Sequence, residues 1–102
     1  MLLLTAYCGL ESPTLSPTQC RERLANLAGK FLPNGHTMLE ASGRWHSPER
    51  GLVDEPTLLV QVFAERGSDL FRAFYDMAGA YKNEARQDCV IVTKQEVEAD
   101  FV

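Results

Sequence analysis

A chain of 102 residues can build one domain with a modest core, and dividing it in two would leave halves too small to fold. With 45% hydrophobic and 24% charged residues, the composition is that of a folded globular protein and excludes both wholesale disorder and a membrane-embedded chain. The net charge is -4 and the ten Lys and Arg residues are scattered, which argues against nucleic-acid binding, where phosphate neutralisation supplies most of the non-specific affinity.

The start, Met1 to Gly9, is apolar without a basic flank, and it is too short for a signal peptide or a membrane span. Its apolar run over residues 2–8, bounded by Gly9 and a Ser/Pro/Thr-rich segment, reads as a buried central strand. Cysteines at 8, 20 and 89 form no Cys-x-x-Cys pair, and their odd number suits a reducing compartment. A cytoplasmic location is expected.

Ser16-Pro17-Thr18-Gln19 is a helix start, with Ser at the N-cap, Pro at the first helical position and Gln placed to complete a capping box. Cys20, Leu24, Leu27, Ala28 and Phe31 then share one apolar face, and Pro33-Asn34-Gly35 ends the helix. From His36 to Trp45 the pattern has period two. Thr37, Leu39, Ala41, Gly43 and Trp45 make the face expected to lie under the helices, leaving Met38, Glu40, Ser42, Arg44 and His46 opposite.

The polar segment His46 to Glu55 reads as an irregular connection with turn signals at Ser47-Pro48 and Arg50-Gly51, and Pro56 suits the first residue of a strand. Thr57 to Phe63 is apolar on both faces, as in a strand covered from both sides. Ser68-Asp69 caps a second amphipathic helix carrying Leu70, Phe71, Phe74, Met77, Ala78 and Tyr81. Cys89 to Thr93 forms the last clear strand, and Val97 to Phe101 an edge strand or docked tail.

The order strand, helix, strand, strand, helix, strand predicts an α+β fold, the ferredoxin-like sandwich, with an antiparallel sheet and both helices on one face. The face left bare would carry Met38 and, depending on register, Leu59 and Phe63. A second copy is expected to cover it, which makes the protein a homodimer.

Phe31, Pro33 and Gly35 leading into Thr37-Met38-Leu39, then Gly43-Arg44-Trp45, Glu55-Pro56-Thr57, Ala80-Tyr81 and Val97 to Phe101 form a pattern over about residues 31–102. It resembles a small bacterial domain-of-unknown-function family (number 3574). The resemblance implies a ferredoxin-like fold with Trp45 and Glu55 as signature positions, and no particular activity.

The candidate ligand or partner-binding residues are Arg44, Trp45, His46, Asp54 and Glu55. Trp45 and Arg44 suit a platform for a flat, anionic molecule; the competing reading is a core Trp beside a solvated Arg. Glu55 suits either a general base or an ion pair with Arg44 across the hairpin. Tyr7, Cys8 and Tyr81 are placed to line a pocket under the sheet, although Cys8 in an apolar strand reads as an inert thiol. His36 and His46 lie at opposite ends of one strand, too far apart to share an ion, so neither a metal nor a cofactor is expected.

No Cys-His or Ser-His-Asp set is present in a defensible arrangement. The sequence therefore points to a small non-catalytic module acting by protein-protein contact or small-ligand binding, in the size range of a phage or plasmid accessory protein, with no nucleic-acid or membrane partner. The alternative is a small cofactor-independent enzyme of the dimeric α+β barrel type, monooxygenase-like or isomerase-like, with Trp45, His46 and Glu55 near a closed pocket between sheet and helices.

Overall fold

A computed structural model describes residues 1–102 and has the element order β1 (Leu2–Gly9), α1 (Pro17–Phe31), β2 (Thr37–Ser47), β3 (Gly51–Ala64), α2 (Asp69–Glu84) and β4 (Ile91–Glu96). The four strands form one antiparallel sheet in the order β2-β3-β1-β4, with the two helices on one face. This is the ferredoxin-like arrangement that the element order predicts.

The helix starts form as their residues dictate. The Ser16 side chain accepts from the Gln19 backbone N–H at 3.1 Å, the Gln19 side chain accepts from the Ser16 N–H at 2.9 Å, and Pro17 opens the first turn. The Ser68 hydroxyl accepts from the Phe71 N–H at 3.1 Å at the start of α2. Both caps satisfy amides that a helix terminus otherwise leaves unpaired.

The core lies between the helices and one face of β1 and β3. It joins Leu2, Leu4, Ala6 and Cys8 to Leu58, Val60 and Val62, under Cys20, Leu24 and Ala28 of α1 and Phe74, Met77 and Tyr81 of α2. Burying a side chain such as Phe74 contributes about 1.5–3 kcal/mol relative to leaving it exposed. The Tyr81 hydroxyl reaches the end of β1 and donates to the Gly9 carbonyl, giving the phenol the partner a buried polar group needs. Gly79 has open space beside it, so it serves no close packing.

The register corrects the expected orientation of β2. Met38 lies opposite Val60 and packs on the core, and Arg21 of α1 holds Glu40 at 2.9 Å, so the Met38 and Glu40 face is the one beneath the helices. Leu39, Ala41, Gly43 and Trp45 stand on the open face, with Leu59 and Phe63 of β3. The alternation was correct, but its more apolar side faces away from the helices. Strand β3 is likewise covered by helices on one side only.

The connection after β2 is also shorter than the polar sequence suggests. Ser47 pairs with Gly51, leaving Pro48, Glu49 and Arg50 as a three-residue loop. The Ser47 hydroxyl accepts from the Glu49 and Arg50 amides, and Gly51 takes φ 73° to close the turn, a value glycine adopts without steric penalty.

Pro56 lies within β3 rather than at its start. Its carbonyl accepts from Leu10 N–H, so its backbone groups face the β1 side, away from Ser42, and the β2–β3 ladder loses no bond to the missing amide. Strand β4 begins at Ile91, two residues after Cys89, and beyond Glu96 the chain makes no further strand, although Val97 N–H donates to the Met1 carbonyl.

Cys8 is fully buried, and desolvation pushes its thiol up from 9.0 to about 12. Above pH 9 the unfolded chain therefore loses a proton that the folded chain keeps, and stability falls as pH rises from about 9 toward 12. At pH 11 the loss from this one group is about 2–3 kcal/mol relative to pH 8. Urea unfolding across that range is expected to show it, with a smaller decline in Cys8→Ala.

Candidate functional site

Beyond Thr57, β3 has no β1 neighbour, and the β2–β3 hairpin runs on as a two-stranded ribbon toward Gly51. Its open face, the end of β1, the loop after it and the turn between α2 and β4 enclose a cleft of about 920 Å³. Tyr7, Gly9, Glu11, Trp45, Glu55, Arg50, Arg86 and Gln87 are among its walls.

The centre of the cleft is the Glu55 carboxylate. One oxygen accepts from the Trp45 indole N–H at 3.1 Å and the other from the Glu11 backbone N–H at 3.4 Å. The carboxylate lies directly over Gly9: a Cβ there would stand 1.9 Å from Glu55 Oε1 and 2.9 Å from Gln87 Oε1. Glycine at this position is thus a steric requirement of the site, and Tyr81 fixes the same residue from the core side through its carbonyl.

Trp45 is 41% exposed and Tyr7 40%. The indole is therefore a surface platform anchored at its N–H, not the core anchor that the competing reading supposed.

The five residues singled out in the sequence divide between the two faces of the ribbon. Trp45 and Glu55 come together. Arg44 and Asp54 pair with each other, Nε to Oδ1 at 2.6 Å and Nη2 to Oδ2 at 3.3 Å, so Arg44 takes Asp54 as its partner in place of Glu55. Arg44 also contributes to the cleft wall, whereas exposed His46 stands opposite Leu52 and lines no part of it.

Tyr7 borders the cleft, but Cys8 and Tyr81 point into the core beneath the other face of the sheet. Burial raises the Tyr81 hydroxyl's pKa, reinforced by the neighbouring Cys20, Cys8 and Glu55.

Glu11, Arg86 and Gln87 were not singled out from the sequence. They lie in loops whose position depends on how β1 and α2 end, and the signal available was the largely polar run Asn83 to Asp88 across the end of an amphipathic helix.

Fold and cleft together define a ferredoxin-like α+β domain with an aromatic and carboxylate site at the bare end of its sheet. The chain belongs to the family described as "Protein of unknown function (DUF3574)", whose model matches residues 9–101. No curated protein matches the sequence.

Among solved structures, a phage SAM lyase in complex with S-methyl-5'-thioadenosine is similar with a TM-score of 0.69 at 16% identity, over 93% of this chain and 80% of the lyase. The same enzyme in its apo state gives 0.66 at 15%, over 92% and 78%. CutA1 from Pyrococcus horikoshii OT3 gives 0.59 at 8%, over 99% and 87%. At these identities the likeness is one of fold.

Gly9→Ala is expected to leave the fold intact while forcing the Glu55 carboxylate off its seat, since the obstructed atoms are at the end of a flexible side chain. In a ¹H–¹⁵N spectrum the Trp45 indole N–H resonance should shift strongly, with core amides nearly unmoved. An unmoved indole signal would show that the carboxylate is not seated over Gly9.

Proposed function

We propose that this chain is a small non-catalytic binding module that takes a flat small ligand in the cleft. The observation that carries the reading is the exposed Trp45 indole, held by Glu55 on the wall of a cleft of about 920 Å³. An indole oriented by its N–H offers a π-face for stacking, and the carboxylate beside it accepts hydrogen bonds from a ligand's amino or hydroxyl groups.

The enzyme alternative draws support from the same carboxylate. It has less because the cleft is open, contains no histidine and presents no nucleophile paired with a base. Three free cysteines support a cytoplasmic setting, and no helix is long and apolar enough to cross a membrane. An accessory role in a phage or plasmid suits a module of this size.

Trp45 is the only tryptophan, so its fluorescence reports directly on the site. S-methyl-5'-thioadenosine, the ligand in the complex of the fold neighbour, is the first probe, alongside other flat heteroaromatics. Saturable quenching that disappears in Glu55→Leu is the expected result. A set of such ligands that leaves both fluorescence and melting temperature unchanged would overturn the reading.

The module also works as a homodimer through the open sheet face. From the edge of the cleft, where Tyr7, Thr57 and Ile91 also line it, to the far end, that face carries Leu3, Thr5, Leu39, Ala41, Leu59, Gln61, Phe63, Thr93 and Gln95, with no charged residue among them. Leu39 and Phe63 are nearly half exposed. Depletion of charge with enrichment of aromatic and aliphatic side chains is the composition of an interface core. Light scattering is expected to give twice the chain mass at micromolar concentration and the single mass for Phe63→Glu; a monomeric wild type would refute the dimer.

A further inference from the structure

The cleft contains one cation with no partner. Of the three arginines in its wall, Arg44 is clamped by Asp54 and Arg50 lies 3.7 Å from Glu11, but the Arg86 guanidinium makes neither an ion pair nor a hydrogen bond. Its backbone is equally unusual: with φ at 50°, Arg86 is the only non-glycine residue on the positive side.

The geometry of the α2 terminus explains that angle. Gln87 N–H donates to the Lys82 carbonyl at 2.9 Å and Arg86 N–H to the Asn83 carbonyl at 3.4 Å, the paired bonds of a Schellman closure, with Arg86 at the left-handed position glycine fills without steric penalty. The arginine is not needed there to complement the helix dipole, because Lys82 already places a cation in the last turn without strain. Arg86 lines the cleft, and its side chain has no partner there. Its neighbour Gln87 is tied to the Glu11 carbonyl and lies beside the Glu55 carboxylate, so the turn that bears Arg86 is joined to the floor of the site.

We infer that the ligand of this cleft is a flat molecule that also carries an anionic group, with its ring at Trp45 and its anion on Arg86. The inference rests on the small-ligand reading above and adds to it the charge of the ligand. In a chain of net charge -4, the long-range field disfavours an anion, so an uncommitted local guanidinium with a fork of donors is the group needed to hold one. A carboxylate and a phosphate share that chemistry.

The test uses a neutral ring and two anionic versions of it: adenosine, adenosine-5'-carboxylate and adenosine 5'-monophosphate, titrated against Trp45 fluorescence in the full chain. The expected result is at least tenfold tighter binding of one or both anionic compounds than of adenosine, a preference that shrinks with added salt. Whichever of the two gains more identifies the anion. In Arg86→Gln the preference should vanish while adenosine affinity holds.

Arg86→Gly serves as the second variant. It should lose the same preference with a melting temperature equal to or above wild type, because the strained position is relieved, which separates loss of the anion site from unfolding. Equal binding of all three compounds, or a preference that survives Arg86→Gln, overturns the inference and leaves the flat-ligand reading standing. If none of the three perturbs Trp45, both fall together.

Discussion

The pairing of β3 with neighbours on both sides is the constraint on which the rest of the molecule depends. Because β3 lies opposite β1 from Thr57 to Ala64 and opposite β2 along most of its length, a shift of one residue would turn Leu58, Val60 and Val62 away from the helices and expose the core. The same register sets Trp45 and Glu55 on one face and aligns Gly9 with Thr57, so that the carboxylate of Glu55 comes to rest over a residue without a side chain. Core and cleft are thus specified by one set of backbone hydrogen bonds. Pro56 is compatible with the β2–β3 ladder because its nitrogen faces away from β2, toward the side where Leu10 donates to its carbonyl.

The two faces of the sheet are built on different chemistry. Beneath the helices, aliphatic and aromatic side chains close around Phe74 and Tyr81, and Cys8 behaves as a small apolar group. On the open side, hydroxyls, amides and partly exposed apolar groups alternate until the ribbon, where the charges collect. Tyr81 links the two: its ring belongs to the core and its hydroxyl holds the Gly9 carbonyl, one residue layer from the cleft. Changes deep in the core at this position therefore reach the site through the end of β1 rather than through the helices.

Most of the fold was legible in the sequence because its signals are local. The Ser16-Pro17-Thr18-Gln19 cap, the Ser68-Asp69 start and the spacing of Phe74, Met77 and Tyr81 each follow from interactions within a turn or two of helix, and the element order then left few packings. The face of β2 was misread because periodicity assigns the more apolar side to the core, and here that side is the bare face while Met38 alone supplies the buried contact. The segment His46 to Glu55 looked irregular because a two-stranded ribbon open on both sides needs no apolar alternation; its pairing comes from the turn, through Ser47 and Gly51. Trp45 and Glu55 could be named from sequence, but Gln87 and Arg86 could not, since only the route of the chain after α2 brings them to the cleft.

The ribbon that carries Trp45 has no third strand beside it from Gly51 to Glu55, and the long axis of the molecule, 45 Å against 24 and 23 Å, reflects how far chain structure extends beyond a compact body. Such an element is held to the domain mainly at its base and is the first part to open in sub-global fluctuations. One wall of the cleft is therefore compliant while the opposite wall, formed by β1 and the end of α2, is fixed to the core. Anything that bridges the two walls acts as a clamp on the hairpin, so occupancy of the site would be readable as a change in the exchange rates of the amides from Ser42 to Glu55, well beyond the atoms a ligand touches.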